Sequence, residues 1–190
     1  TNITETNINE VSKILNFSSN NRVAICNANT LVRSVKDLNI RNLINSFTIK
    51  TPDGFPVAKA LTFLTKKKFS RVDGYKVFLQ TISDGLDTNR RHYFFGNNEN
   101  TTQQMIEKLE KMFPNIQIIG YICPDQMTAE ELALKYKEDF QSISTDIVWV
   151  SLGFPKQEKF IKKICDEVDS NTNFVGIGGV FDWVAGTKKK

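Results

Sequence analysis

Short apolar runs recur along the chain and alternate with segments of helical periodicity, and this alternation restricts the fold more than any other feature. The runs with the composition of strands are residues 22–26, 46–50, 92–95, 116–122, 147–150 and 173–177. Several are apolar at every position, as in strands that are covered on both faces of a sheet. The pattern predicts an α/β sandwich with a mostly parallel central sheet flanked by helices.

The segments between these runs predict helices over residues 31–38, 55–64, 101–113 and 157–168, and Thr128 is a predicted N-cap for a further helix. Helical spacing places the following residues on inward faces: Leu31, Val35 and Leu38; Val57, Ala60, Leu61 and Leu64; Met105, Leu109 and Met112.

Composition excludes several classes of protein. The 190 residues suit one globular domain, and no apolar run approaches the roughly 18–20 residues of a membrane-spanning helix. His92 is the only histidine and the three cysteines form no CxxC pair, which argues against a multi-histidine metal site, a structural zinc or a disulfide framework. The net charge of +4 is too mild to indicate nucleic acid. Two lysine runs, 66–68 and 188–190, suit anionic phosphates or a lipid surface, or are simply solvated.

Polar residues and glycines follow most of the predicted strands. In an open parallel sheet, ligands bind beyond the carboxyl ends of the strands, so these positions are the candidate site. They are Asn27, Asn29, Asp53, Gly54, Gly96, Asn97, Asn98, Gly153, Lys156, Gln157, Glu158, Gly178, Gly179 and Asp182. Glycine lets a backbone approach a ligand closely, and helix N-termini offer N–H groups to phosphate. Together they predict a site for a polar ligand.

Each of these residues also has a purely structural explanation. Asn27 and Asn29 suit helix caps, Asp53 suits a turn in Pro-Asp-Gly, and Gln157-Glu158 suits an ordinary polar first turn. The glycines spell neither GxGxxG nor GxxxxGK[ST], which disfavours NAD-type and P-loop chemistry.

Several motifs together resemble those of the WecG/TagA/CpsF family of glycosyltransferases, which build bacterial surface polysaccharides and wall teichoic acids. The segments that carry the resemblance are CNANTLV (26–32), TPDGFPV (51–57), SRVDG (70–74), YFFGNNENT (93–101), FPNIQIIGY (113–121), VSLGFPKQEKFI (150–161) and GIGGVFDWVAGTKKK (176–190). The resemblance runs from about Arg22 to the last residue, and the G-x-P-K-Q-E and G-x-G-G-x-F-D-x-x-A-G-T segments are its most specific parts.

The resemblance implies a Rossmann-like fold and an inverting transfer of a sugar, typically N-acetylmannosamine, from a UDP-sugar to a polyprenyl-diphosphate-linked acceptor sugar. It implies no metal cofactor. Family members work at the cytoplasmic face of the cell membrane, which they contact through a C-terminal appendage. They are expected to self-associate, with Phe154 and Phe160 as candidate contacts in this chain.

Roles for single residues follow from the same resemblance. Asp53 is the expected general base, which takes a proton from the acceptor hydroxyl. Gln157 is expected near the sugar or diphosphate and Asp182 near the nucleotide, while Arg71 is the arginine of the R-V-x-G segment. Asn27 stands where the family usually has Thr in C-T-A-N, and its amide retains hydrogen-bonding capacity. The remaining expected substrate contacts are Asn29, Gly96, Gly153, Lys156, Glu158, Gly178 and Gly179.

The sequence also departs from the family pattern. Tyr75 replaces the proline of the R-V-x-G-P segment, and the sequence ends at Lys190, whereas the family continues with R-A-P and a basic, aromatic tail. We therefore expect residues 1–190 to form one glycosyltransferase domain without the appendage, with weak or absent activity alone. The alternative is a UDP-sugar-binding module of the same fold that has no catalytic activity.

Overall fold

A parallel sheet lies at the centre of the chain. The computed structural model describes residues 1–189. Within them the strands are β1 (Arg22–Cys26), β2 (Ile49–Pro52), β3 (Arg91–Gly96), β4 (Gln117–Ile122), β5 (Ile147–Ser151) and β6 (Asn173–Gly176). They form one sheet in the order β2-β1-β6-β5-β3-β4, and every neighbouring pair is parallel.

Helices cover both faces of the sheet. They are α1 (Ile8–Phe17), α2 (Ala28–Lys36), α3 (Leu38–Asn45), α4 (Phe55–Thr65), α5 (Gly74–Gly85), α6 (Glu99–Met112), α7 (Ala129–Lys135), α8 (Lys137–Ser142), α9 (Lys156–Glu167) and α10 (Val180–Ala185). Helices α1, α5, α6 and α10 share one hydrophobic core with the sheet, and α3, α7, α8 and α9 share the other. The predicted α/β fold, a Rossmann-like arrangement with helices on both faces, is confirmed.

Aromatic side chains fill both cores. On the first face, the ring of Phe78 meets Trp149 edge-on at 4.8 Å between centroids. On the second, Phe95 and Phe160 stack at 4.5 Å with nearly parallel planes. Phe160 is fully buried by this contact, so its proposed role as an exposed contact for self-association is wrong. The helix that carries it turns that ring toward the sheet, whereas Phe154 remains partly exposed at the strand exit.

The strand predictions hold closely except for the second strand. β1 has the predicted bounds, β3 is one residue longer than predicted at each end, and β4, β5 and β6 differ from the prediction by one residue at one end. The second strand was expected over 46–50 but runs over Ile49–Pro52. Among the described strands it pairs only with β1 and so forms an edge of the sheet, where a proline at the strand end is tolerated. The expected break at Thr51-Pro52 is therefore part of the strand.

The helices predicted over 31–38 and 101–113 are present as α2 and α6 with shifted ends, and not all of the residues predicted to face inward do so. Helix α2 ends at Lys36, so Leu38 begins α3, and both Val35 and Leu38 are exposed. Met112 is half-exposed in the last turn of α6.

Helix α4 departs furthest from its predicted burial. It buries Val57 and Ala58, while Ala60 and Leu64 are exposed and Leu61 is partly exposed. Thr128 does cap α7, through a capping box with Glu131.

Two further observations concern the described residues. None of the helices in residues 1–189 combines the length and the apolar character needed to cross a bilayer. The lysine run at 188–190 is described except for Lys190, which lies outside the described residues.

The buried His92 generates a testable prediction. Its Nδ1 accepts a hydrogen bond of 3.1 Å from the indole Nε1 of Trp149, and burial lowers the pKa of His92 to about 4. The unfolded chain binds a proton near pH 6.5 and the folded chain does not, so the His92 contribution to stability is lost as the pH falls from about 6.5 to 4. We expect the free energy of unfolding of His92→Gln to rise by about 2 kcal/mol relative to that of the wild type as the pH is lowered from 7 to 5. Urea denaturation of both proteins at the two pH values measures this difference, and a constant difference would contradict the prediction.

Candidate active site

A polar cavity lies at the carboxyl edge of the sheet, between the exits of neighbouring strands. After β1 the chain enters α2, which packs on the second face through Leu31, whereas after β6 it enters α10 on the first face. The two exits diverge, which opens a crevice of the kind in which open α/β sheets bind ligands. The cavity measures about 270 Å³ and is lined by Ile25, Asn27, Thr30, Asp53, Gly74, Gly153, Phe154, Gln157, Glu158, Gly176, Ile177, Gly178, Gly179 and Trp183.

Asp53 reaches this cavity from the edge strand β2. Its backbone N–H donates a 2.9 Å hydrogen bond to the carbonyl of Cys26, which ties the exit of β2 to that of β1. Its carboxylate is partly exposed and lies 3.5 Å from Nε of Arg71. The turn therefore holds an acid at the cavity with a cation beside it.

Arg71 lies between two carboxylates and lines a larger neighbouring cavity. Its Nη2 donates a 2.8 Å hydrogen bond to Oδ2 of Asp73, and its guanidinium lies 5.5 Å from the ring centroid of Phe55. Asp73 is itself held in place because it caps α5 through the N–H groups of Tyr75 and Lys76. These contacts fix the guanidinium beside Asp53, at the border of the two cavities.

Gln157 connects the exits of β5 and β6. Only 4% of it is exposed; its Oε1 accepts a 3.1 Å hydrogen bond from the N–H of Gly178, and its Nε2 donates a 2.9 Å bond to Oε1 of Glu158. A β-carbon on Gly176 would lie 2.9 Å from Nε2 of Gln157, so the amide occupies the space that the glycine leaves. The interpretation of Gln157 as part of an ordinary polar first turn is therefore wrong.

Glu158 is a buried acid in the wall of the cavity. It is 1% exposed, and among the described residues its Oε2 has no hydrogen-bond partner. Burial raises the pKa of its carboxyl to about 7, against the opposing effect of the hydrogen bond from Gln157. A buried polar atom without a partner is costly, and ionisable groups with strongly shifted pKa values concentrate at functional sites. The arrangement suits a carboxyl that exchanges a hydrogen bond with a ligand.

Asn27 contributes to the cavity but also has a structural task. Its Oδ1 accepts hydrogen bonds from the N–H and the hydroxyl of Thr30, at 3.1 and 3.3 Å, so it caps α2. The structural explanation is correct for this oxygen. Asn29 is exposed in the first turn of α2 and does not line the cavity.

The glycines predicted for the site divide into two groups. Gly153 and Gly178 have φ values of +76° and +56°, line the cavity, and have open space where a β-carbon would lie. Gly179 also lines it, next to the indole of Trp183. Gly96 does not: a β-carbon there would lie 2.3 Å from the carbonyl oxygen of Ser151, so this glycine permits close strand packing.

Two further predicted residues lie away from the cavity lining. Asp182 is buried and accepts a 3.1 Å hydrogen bond from Asn97, while its other oxygen lies 3.2 Å from Nζ of Lys188. Lys156 is partly exposed. The pKa of Glu131 in the capping box of α7 is lowered chiefly by hydrogen bonds from Thr128, and the charge of Lys156 adds to this effect.

Sequence reasoning missed several residues that line the cavity. Thr30 and Trp183 lie three and four residues after Asn27 and Gly179, one helical turn into α2 and α10. Both positions could have been inferred from helical spacing, counted from the residues at the ends of the strands. Within residues 1–189, no group of three or more His, Cys, Asp or Glu side chains is arranged to hold a metal ion.

Comparisons with known proteins agree on one family. The family model described as "Glycosyl transferase WecG/TagA/CpsF family" matches residues 1–190. A protein of Bacillus subtilis, named N-acetylglucosaminyldiphosphoundecaprenol N-acetyl-beta-D-mannosaminyltransferase, is 26% identical over 88% of this chain. A protein of the same name from Bacillus spizizenii is 30% identical over 78% of it. The chain spans 64% and 56% of the lengths of these two relatives.

The raised pKa of Glu158 predicts an unusual pH dependence of stability. The folded chain holds this proton up to about pH 7 and the unfolded chain loses it near pH 4.5, so the stabilisation is present at low pH and is lost as the pH rises through 7. We expect the free energy of unfolding of the wild type to fall by about 2 kcal/mol relative to that of Glu158→Gln as the pH is raised from 5 to 8. Because His92 acts in the opposite direction, only the difference between wild type and variant in urea denaturation isolates Glu158. Parallel pH profiles of the two proteins would refute the assignment.

The two groups of glycines predict different costs of substitution. Gly96→Ala introduces both a backbone clash and a strained φ of +120°, and we expect it to lower the free energy of unfolding by about 2–5 kcal/mol. Gly153→Ala is the matched control, since it has a positive φ but no clash, with an expected cost of about 1 kcal/mol. Chemical denaturation measures both, and equal costs would show that Ser151 yields to the added methyl group.

Proposed function

This chain belongs to the WecG/TagA/CpsF family of glycosyltransferases, and from that premise we propose that it transfers a sugar from a UDP-sugar to a polyprenyl-diphosphate-linked acceptor sugar with inversion. The observation that carries the proposal is the convergence of Asp53, Gln157 and Glu158 on one polar cavity at the carboxyl edge of the sheet. The relatives' names support N-acetylmannosamine as the transferred sugar and a GlcNAc-diphosphoundecaprenol acceptor.

The donor fits the glycine-lined side of the cavity. Gly153 and Gly178 leave the backbone open to a close approach, and the N-terminus of α9 begins beside them without a side-chain cap. The positive end of a helix stabilises a diphosphate, which carries the negative charge that leaves with UDP. Hydrogen-bonding groups for the sugar are present on Glu158 and Asn27.

Asp53 is the proposed general base. Its carboxylate takes the proton of the acceptor hydroxyl while that oxygen forms the new bond to the anomeric carbon of the donor sugar, and the bond to UDP breaks on the opposite face. Arg71, 3.5 Å away, positions the carboxylate and brings positive charge near the diphosphate. We expect the reaction to need no metal ion, so transfer should persist in a chelator. We propose that it takes place at the cytoplasmic face of the membrane.

One observation favours a second candidate function, a UDP-sugar-binding module without catalysis. Asn27 stands in the position of a threonine in the family pattern, and its carbonyl is committed to capping α2. That oxygen is therefore not free to act on the reacting groups, and only the side-chain NH2 of Asn27 remains to bind the sugar. The two functions predict the same donor binding and differ only in turnover.

The deciding experiment compares wild type with Asp53→Asn in the full-length protein. Transfer from a panel of UDP-sugars to a short-chain prenyl-diphosphate-GlcNAc is followed by chromatography, and UDP binding by calorimetry. We expect Asp53→Asn to reduce the transfer rate by about 10²–10⁴-fold while UDP still binds, because removal of the base affects only the chemical step. Asp125→Asn, an exposed acid outside the cavity, is the matched control and should transfer normally.

The outcomes separate the two candidates. Wild-type transfer that survives in Asp53→Asn refutes Asp53 as the base. UDP-sugar binding by the wild type without transfer of any donor supports the binding module instead.

A further inference from the structure

Helix α4 is an apolar helix that the described part of the chain leaves largely uncovered. Most of its residues are Phe, Val, Ala or Leu, yet Val57 and Ala58 are the residues it buries. Phe55 is 68% exposed, Phe63 74% and Leu64 75%. A helix that is apolar around its circumference is normally buried in a core or in a membrane, and contiguous exposed apolar surface marks an interaction site.

Basic side chains surround this apolar surface. Lys59 lies one turn from both Phe55 and Phe63 on the same helix face, and Lys66, Lys67 and Lys68 follow the helix directly. Nζ of Lys66 lies 4.9 Å from the ring centroid of Phe63. Lys67 is 3.2 Å from Glu5, an ion pair at the exposed surface, where such a pair is weak. Exposed aromatic and aliphatic groups bordered by cations are typical of a helix that lies in the headgroup region of an anionic membrane.

The position of α4 connects this surface with the candidate active site. The helix begins two residues after Asp53, at the carboxyl edge of the sheet. A cavity of about 670 Å³ runs beside it, lined by Phe55, Lys59, Phe63, Phe69 and Arg71 among others. Arg71 borders Asp53, so the apolar and basic surface is continuous with the proposed catalytic acid.

We propose that α4 and Lys66–Lys68 form a docking surface for an anionic lipid bilayer, with Phe55, Phe63 and Leu64 inserted among the headgroups. The inference rests on the proposed function, because an enzyme whose acceptor is carried on a lipid must bind that acceptor at the membrane. It assigns the membrane contact to a surface of this chain itself. Docked in this way, the bilayer lies beside the cavity lined by Phe55, Lys59 and Arg71, and a lipid-linked diphosphate enters past Lys59 and Arg71.

Vesicle binding tests the docking surface without any sugar substrate. Co-sedimentation of the full chain is measured with phosphatidylcholine vesicles that contain phosphatidylglycerol and with vesicles of phosphatidylcholine alone. We expect binding to the anionic vesicles that weakens with added salt, since the lysines act through screened charge. Binding that is absent, or equal for both vesicle types, overturns the proposal.

Matched variants locate the contact. We expect Leu64→Ser combined with Phe63→Ser to weaken partitioning by about tenfold or more, because the inserted apolar area is lost. Leu134→Ser on α7 is the control, since Leu134 is 76% exposed on a different helix. The triple change of Lys66, Lys67 and Lys68 to Gln should weaken anionic binding by a similar factor. Its control changes the same number of lysines on α9, Lys159, Lys162 and Lys163, to Gln.

The remaining outcomes also decide the question. Equal effects of the α4 and control variants overturn the proposal. Unchanged vesicle binding in the α4 variants, together with a lower sedimentation coefficient, assigns the surface to a second copy of the chain and overturns it too. Thermal unfolding of each variant verifies that it is folded. UDP binding, measured separately, reports on the proposed function, so that vesicle binding without UDP binding would refute only the function.

Discussion

Parallel pairing of the strands is the constraint from which the candidate site follows. Within the described residues every strand of the sheet runs the same way, so residues far apart in sequence, such as Asp53 and Gln157, meet at a single edge. The sheet itself supplies only position, since its strands are mostly apolar and covered on both faces. The chemistry lies in the turns that leave it, where a backbone can carry polar groups without disturbing the cores.

Two buried ionisable side chains, one in the core and one at the site, differ in their hydrogen bonding. His92 lies inside the sheet, and its Nδ1 is matched by the indole of Trp149. Glu158 lies at the cavity, and within residues 1–189 only Oε1 of its carboxyl has a hydrogen-bond partner, the amide of Gln157. A polar atom inside a core without a partner would only reduce stability, whereas one at a cavity wall gains its partner when a ligand binds. Asn16, Thr51 and Thr81 also carry a buried oxygen without a partner among the described residues, so Glu158 differs from them in being an ionisable group at a cavity wall.

Much of the fold was predictable because strand and helix periods are local properties of a sequence. The strand exits, and with them Asp53, Gln157 and the glycines of the cavity, follow from that pattern and from the family resemblance. The burial of Glu158 was not predictable, since an acid in the first turn of a helix is usually solvated. Neither was the separate role of Gly96, because its clash partner, Ser151, lies on another strand. The exposure of α4 was missed for a related reason: apolar periodicity shows that a face is hydrophobic, and tertiary contacts decide whether anything covers it.

The contact between Gly176 and Gln157 has a consequence for how this site can vary in sequence. The amide of Gln157 fills the volume that a side chain at position 176 would need, and the same amide holds Gly178 and Glu158 in place. A larger residue at 176 therefore either displaces the end of the Gln157 side chain or requires a smaller residue at 157, and in both cases the two hydrogen bonds are lost. Positions 157 and 176 are therefore expected to vary together. The effects of substitutions at 157 and at 176 on the free energy of unfolding should be non-additive. Homologues without glycine at 176 should have different side chains and hydrogen bonds in this wall of the cavity.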